Sequence, residues 1–239
     1  MQLLKTGGFL FCILLYYGAL LLPHSAKAQS TLVLDSVSVT SDSRYVVLGW
    51  TLTPPVTEGS IEIHRQLPNG LYARITSLPL NQTSFTDTGA NPNQESWSYY
   101  IVARDLNGDN IAVSHEAHRT IFQHPPTFSV CQRLIHVAWD GYRVTTSAGE
   151  PTLLPTPFSH FRVVVWNNDT IFTALNPISG IVGNFDIRVQ HPGTYQIKII
   201  YTNPLTGITS SSNVRSIDVA FQPQHSFLHI RGVSLDAPS

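Results

Sequence analysis

Apolar and polar residues alternate with a period of two along most of the chain. The alternating apolar positions fall in separate short runs, namely Val37 and Val39; Val46, Leu48 and Trp50; Ile61 and Ile63; Tyr99, Ile101 and Ala103; Ile135, Val137 and Trp139; Phe161, Val163 and Val165; and Tyr195, Ile197 and Ile199. A period of two places one set of side chains on one face of a strand. No segment keeps a helical period over three turns. The pattern therefore predicts many short β-strands.

Turn signals separate these runs. Segments rich in Pro, Gly, Asn and Asp lie between them, including residues 53–55, 68–70, 87–89 and 107–109. Many short strands joined by such turns are typical of a β-sandwich or barrel rather than of a parallel sheet. Two prolines in the segment 123–126 cannot continue a central strand, so we place a domain boundary there.

An aromatic pair recurs in the two halves of the chain. Trp50 ends one alternating run and Tyr99 opens a later one, and Trp139 and Tyr195 repeat this arrangement. In an immunoglobulin-like sandwich a large aromatic residue fills the centre between the sheets, and a Tyr near the start of a late strand ties that strand to the chain before it. We therefore predict an all-β protein of tandem immunoglobulin-like sandwiches, with these four residues marking the cores.

The repeat sets the expected domain organisation. We predict a first sandwich at residues 29–123 and a second at residues 124–222. The sequence of residues 226–236 also aligns with that of residues 30–40. A single strand without its sheet cannot fold alone, so this segment either docks on the second domain or shows that the chain is the front of a longer protein. We interpret residues 223–239 as the truncated start of a further repeat.

The first 28 residues have the pattern of an export signal. A basic residue, Lys5, precedes a mostly apolar stretch at residues 9–22, and the small-residue site Ala26-Lys27-Ala28 follows. The apolar stretch is shorter than the about 20 residues that a membrane span needs. We predict a signal peptide at residues 1–28 that is cleaved after Ala28, leaving no transmembrane segment. The mature protein is then secreted or located in the cell envelope, in the periplasm or at the outer surface.

Composition narrows the classes of function. Charged residues make up 12% of the chain, and the formal net charge is −1. Without a net positive field to attract phosphates, we expect no nucleic-acid partner. Cys131 is the one cysteine after the predicted leader, so the mature chain has no intrachain disulfide. We expect Cys131 to be a half-buried structural thiol.

Several motifs carry a family resemblance. They are Leu48-x-Trp50, Ile61-x-Ile63-x-Arg65, Ser84-Phe85-Thr86-Asp87 and Tyr99-x-Ile101-x-Ala103. In this order and spacing they resemble a fibronectin type III domain over roughly residues 30–123. The segments 103–108 and 118–122 resemble the tandem fibronectin-like repeats of large surface proteins from gliding Gram-negative bacteria, which commonly carry a gliding-motility or type IX sorting domain. The resemblance implies an exported cell-envelope module.

Two motifs suggest metal chemistry but do not fit it. His115 and His118 are three residues apart, whereas the zinc motif H-E-x-x-H spaces its His residues by four on a helix, so we expect a solvated strand. Residues 105–109 resemble the start of a calcium loop, but Asn110 stands where that loop needs Gly, so we predict a hairpin turn. No G-x-S-x-G or phosphate-loop motif occurs. We predict no catalytic residue, metal or cofactor.

Trp166 is the candidate for a contact surface. Because Val165 before it is an inward position, Trp166 is expected to face outward, where it can contact a protein or glycan partner. The leading hypothesis is a non-enzymatic exported protein whose repeats act as spacer, adhesion or protein-interaction modules, with the resemblance implying a gliding or surface association. One alternative is the N-terminal accessory region of a secreted hydrolase. The other is a carbohydrate-binding module.

Overall fold

The computed structural model describes residues 30–114, 116–146, 151–152, 161–167, 170–175, 182–204 and 206–221. The predicted signal peptide at 1–28 and the predicted further repeat at 223–239 lie outside these residues. The regular structure in the described part is β-strand, and the strand pairs are antiparallel. The prediction of an all-β fold is therefore confirmed.

The first sandwich consists of two facing sheets. Its strands are, in chain order, β1 (Thr31–Val39), β2 (Val46–Thr53), β3 (Ser60–Gln66), β4 (Tyr72–Pro79), β5 (Ser84–Asp87), β6 (Ser98–Arg104), β7 (Asn110–Val113) and β8 (Glu116–Arg119). One sheet has the order β1-β2-β5, and the other has the order β8-β6-β3-β4 with β7 also beside β6. The alternating apolar residues face inward, so Val37, Leu48, Ile61 and Tyr99 are fully buried.

The second sandwich repeats this arrangement. Its region contains β9 (Phe122–Gln123), β10 (Thr127–Ser129), β11 (Leu134–Asp140), β12 (Arg143–Thr146), β13 (Pro151–Thr152), β14 (Phe161–Asn167), β15 (Thr170–Leu175), β16 (Val182–Arg188), β17 (Gly193–Thr202), β18 (Thr209–Ser211) and β19 (Arg215–Val219). One sheet has the order β10-β11-β16 with β9 beside β11, and the other has the order β15-β14-β17-β18 with β19 beside β17. Ile135, Trp139 and Ile197 lie in its core.

The two recurring aromatic pairs occupy equivalent places in the two sandwiches. Trp50 on β2 and Trp139 on β11 are buried between the sheets. Tyr195 on β17 donates a hydrogen bond from its hydroxyl to the carbonyl of His191 at 2.9 Å, which ties the strand to the chain just before it. The two halves of the chain are thus two immunoglobulin-like sandwiches with a shared strand order.

The first sandwich uses a carboxylate where the second uses a backbone carbonyl. Tyr99 donates its hydroxyl proton to Oδ2 of Asp87 at 2.9 Å, and Nη1 of Arg65 donates to the same oxygen at 2.7 Å. Burial, followed by the neighbouring Asp87 charge, raises the pKa of Tyr99 far above its usual range, so its hydroxyl stays protonated and keeps donating. This buried network joins β3, β5 and β6.

Gly183 provides a test of this packing. It is directly opposite Trp139 in the β11–β16 pair, and a Cβ atom at this position would overlap the indole ring. We expect Gly183→Ala to lower the free energy of unfolding by about 1–3 kcal/mol, because the buried Trp side chain must shift. Urea denaturation measures this change. Gly89→Ala is the matched control, since its added Cβ meets only ordinary contacts; equal losses in both variants would contradict the explanation.

Candidate functional site at the junction of the sandwiches

One β-sheet contains strands from both sandwiches. β12, which follows the second sandwich's β11, pairs antiparallel with β8 of the first, with Arg143 opposite Arg119 and Val144 opposite His118. The resulting sheet has the order β13-β12-β8-β6-β3-β4. Backbone hydrogen bonds therefore connect the two sandwiches, and they fix the register of one against the other.

Serine contacts join the end of the first strand, and the turn after it, to the second sandwich. The Ser211 amide donates to Oγ of Ser38 at 3.0 Å, and the Ser211 hydroxyl donates to the Val39 carbonyl at 3.0 Å. Farther along, the Val214 amide donates to Oγ of Ser43 at 2.7 Å. These contacts hold the C-terminal end of β1 and the turn after it against the second sandwich.

The chain between the sandwiches is itself part of the interface. The Gln123 amide donates to Oδ1 of Asn213 at 2.9 Å, and Arg215 donates from Nε to the Gln123 carbonyl at 3.0 Å and from Nη2 to the Asn93 carbonyl at 2.8 Å. Gln123 and Asn213 are both completely buried. Gln123, which the sequence analysis placed at the end of the first domain, also pairs with Trp139 of the second sandwich.

Tyr142 connects the two cores. Its hydroxyl oxygen accepts a hydrogen bond from the Val37 amide at 3.3 Å and lies 2.6 Å from Nδ1 of His118. Its ring stacks on that of Tyr201, with centroids 5.2 Å apart. Burial raises the pKa of Tyr142 well above its usual range, which keeps the hydroxyl neutral.

The expectation that β8 is a solvated strand is wrong at His118. This residue is only 9% exposed, and it is also in contact with the Tyr142 ring. The physical reason is that β12 and Tyr142 of the second sandwich cover this side of β8, and a contact so distant along the chain leaves no local pattern. His115, the other residue of the zinc-like motif, lies outside the described residues.

A buried carboxylate lies on the outer face of the first sandwich. Glu62 on β3 is 5% exposed, and its Oε1 accepts a hydrogen bond from Nη1 of Arg74 at 2.7 Å. Its other oxygen, Oε2, lies 2.8 Å from Nε of Arg104 and 3.3 Å from Nε2 of His64. Burial alone would raise the pKa of Glu62, but hydrogen bonds from the two arginines and His64 outweigh it and lower the pKa to about 2. The His64 ring stacks on Tyr100 at 4.6 Å. The face is therefore a self-paired polar and aromatic cluster.

The remaining candidate residues from the sequence lie away from the junction. Trp166 lies on β14 opposite Gln196 and is half-buried, on the face away from the buried Val165. Its role as a contact surface stays a prediction. Cys131 is exposed in the turn before β11, so the expectation of a half-buried thiol is wrong. Residues 105–109 form the hairpin between β6 and β7, in which Asp105 accepts backbone hydrogen bonds.

Comparison with known proteins gives matches among solved structures alone. No protein-family profile and no curated protein matches the chain. It is similar to pectate lyase PelI from Erwinia chrysanthemi in complex with tetragalacturonic acid, at 27% identity over 39% of this chain and 28% of that chain, with a TM-score of 0.30. It is similar to an Fn3-like protein from Clostridium thermocellum, at 26% identity over 38% of this chain and 88% of that chain, with a TM-score of 0.28. A two-domain fibronectin type III segment of chicken tenascin is 14% identical over 78% of this chain and 98% of that chain, with a TM-score of 0.30.

The chain spans 28% of the length of the pectate lyase that it matches. Because these TM-scores are low, the class of the protein is taken from its own strand pairing. Two facing sheets occur in each half of the chain, and each pair of sheets encloses one buried Trp. These features define tandem immunoglobulin-like β-sandwiches. Within the described part of the chain, no helix has the length and apolar character to cross a membrane.

Glu62 gives the first sandwich a specific acid sensitivity. Because its pKa is lower in the folded protein than the usual 4.5, its contribution to stability is present above that pH and is lost as the pH falls towards about 2. We expect the free energy of unfolding to fall across this window, and to fall less in Glu62→Gln. Glu58→Gln, which changes an exposed carboxylate, is the control and should behave as the parent does. A Glu62→Gln curve parallel to that of the parent would refute this role.

Proposed function

We propose that the protein is a non-enzymatic, exported module that holds two fibronectin type III-like sandwiches in one fixed side-by-side arrangement, for spacing or for interaction with other molecules. The observation that carries the proposal is the β8–β12 pairing, which joins the two sandwiches through their backbones. Domains that move freely share small polar contacts, whereas this junction has a continuous sheet, a buried Tyr142 and a buried Gln123–Asn213 pair.

Such an arrangement suits a module that presents surfaces at a constant angle. The central strand pair is β3 and β6 in one sheet of the first sandwich, and β14 and β17 in one sheet of the second. The junction fixes the outer faces of these two pairs relative to each other. Function in sandwich repeats resides in loops and faces on a rigid scaffold rather than in the fold itself. A partner that touches both sandwiches would then bind without first ordering them.

Export and a location in the cell envelope belong to the proposal as well. They rest on the sequence of residues 1–28, with its basic start, short apolar stretch and small-residue site. The resemblance of residues 103–108 to repeats of surface proteins from gliding bacteria supports an outer-surface role. In this view, the low charge content fits short, half-buried strands.

The fixed arrangement can be tested by weakening the junction away from the cores. Asn213→Ala combined with Arg215→Ala leaves the Gln123 amide and carbonyl without these partners, and a buried unsatisfied group costs about 1–3 kcal/mol. We expect a larger radius of gyration in X-ray scattering and faster proteolysis at residues 123–126. Asp218→Ala, which alters an exposed residue of the same strand β19, is the control. An unchanged scattering curve and unchanged proteolysis in the double variant would count against a junction-dependent arrangement.

Export predicts a defined N-terminus. When the full chain is expressed in a Gram-negative host, we expect N-terminal sequencing of the envelope fraction to begin at Gln29. An Ala28→Asp substitution places a charge in the small-residue site and should leave the precursor uncleaved. Ser30→Asp, two residues later, is the control and should be processed. Retention of the intact parent chain in the cytoplasm would exclude export in that host.

A further inference from the structure

A cavity of about 110 Å³ lies where the two sandwiches meet. Its walls come from β1 and β8 of the first sandwich and from the region around Tyr142 and β18 of the second. Among the described residues that line it are Val33, Asp35, Glu116, Tyr142, Tyr201 and Ile208. Leu34, Tyr142 and Tyr201 also belong to the buried core, but the cavity beside them has no part in the spacing role.

A β-bulge points Asp35 away from the core of the first sandwich. Leu34 pairs with Trp50 and Ser36 pairs with Gly49, so Asp35 is the extra residue between them. Bulges redirect side chains and recur beside functional sites. Here the bulge places a carboxylate in the wall of the cavity, where Oδ2 accepts one hydrogen bond, from the Thr51 hydroxyl at 2.7 Å. A carboxylate has room for several more donors.

Tyr201 brings an unused hydroxyl to the same cavity. The residue is 7% exposed, yet its hydroxyl has no hydrogen-bond partner in the described part of the chain. The hydroxyl oxygen itself stays accessible to solvent, since it is not among the fully buried polar atoms that lack a partner. The neighbouring Tyr142 does not share this property, because its hydroxyl contacts Val37 and His118. The Tyr201 hydroxyl is therefore available to a ligand.

The charge and the size of the cavity restrict the ligand. Two carboxylates, Asp35 and Glu116, are among the described lining residues, and no Lys or Arg is. A cavity of about 150 Å³ holds a benzene molecule, so 110 Å³ accommodates a group of only a few heavy atoms. Tyr rings and the partly exposed Val33 and Ile208 provide apolar walls for a short alkyl stem.

We infer that this cavity binds an alkylammonium group, either of a small free amine or of a lysine side chain. The ammonium donates hydrogen bonds to the Asp35 carboxylate and to the Tyr201 hydroxyl oxygen, and its alkyl stem packs on the rings of Tyr142 and Tyr201. Charge-assisted hydrogen bonds and aromatic faces both favour a cation over a neutral group of the same shape.

Titration calorimetry of the purified protein at pH 7 tests the site, with n-butylammonium as the probe and n-butanol as its neutral counterpart. We expect n-butylammonium to bind and n-butanol not to bind. Asp35→Asn should weaken the amine at least about tenfold, and Tyr201→Phe should weaken it about threefold. Asp109→Asn makes the same chemical change at an exposed turn residue outside the cavity and should bind as the parent does.

The outcomes separate the sources and the failures. A short peptide with one lysine that binds more tightly than n-butylammonium identifies a lysine side chain, and the reverse order identifies a free amine. Absence of heat with both amines, equal binding of n-butanol, or unchanged affinity in both Asp35→Asn and Tyr201→Phe would overturn the inference. Thermal melts show which variants fold, and Tyr201→Phe, which removes a hydroxyl alone, keeps the test decisive if Asp35→Asn disturbs the bulge.

Discussion

The backbone pairing between β8 and β12 is the contact on which the rest of the arrangement depends. Through this pairing, a sheet of the first sandwich continues into β12 and β13, which follow β11 of the second sandwich. In that register, the Tyr142 hydroxyl accepts a hydrogen bond from the Val37 amide, and the Ser211 amide donates to the Ser38 hydroxyl oxygen. Side-chain contacts alone would allow several neighbouring orientations, whereas a hydrogen-bonded ladder has discrete registers, and a slip by one residue would turn every side chain over.

The junction is polar where an obligate interface would be apolar. The buried Asn213 side chain bonds the amide and the carbonyl of the buried Gln123 rather than filling space. Such groups add little net free energy when paired, but they cost much if left unpaired, so they penalise alternative arrangements more than they stabilise the observed one. The apolar contribution comes mainly from Tyr142 and its stack on Tyr201.

Much of the fold could be predicted from the sequence, because alternation and turn residues are local signals. The alternation of Val46, Leu48 and Trp50 predicts a strand without information from distant residues. The recurrence of the Trp and Tyr pair predicts a second sandwich. The junction left no such signal. Tyr142 lies in a Gly-containing stretch after a strand, and Asn213 and Ser211 read as ordinary loop residues. Their roles arise from contacts with residues more than 80 positions away, such as Gln123 and Ser38. The exposure of Cys131 could not be predicted for a related reason, since one cysteine near a strand does not indicate which side of a turn it occupies.

The shared sheet also limits the exposed strand edges through which molecules could pair with one another. A strand at the edge of a sheet displays unpaired amide and carbonyl groups, which can recruit a strand of another molecule and begin aggregation. In this chain, β8 is covered by β12, and β12 is covered in turn by β13, which is only two residues long and begins with Pro151. Proline has no amide hydrogen to offer, and so short a strand gives little length for recruitment. The opposite edge, β4, carries the exposed Arg74 and ends at Pro79. In the described part of the chain, both ends of the longest sheet therefore offer little backbone for further strand pairing.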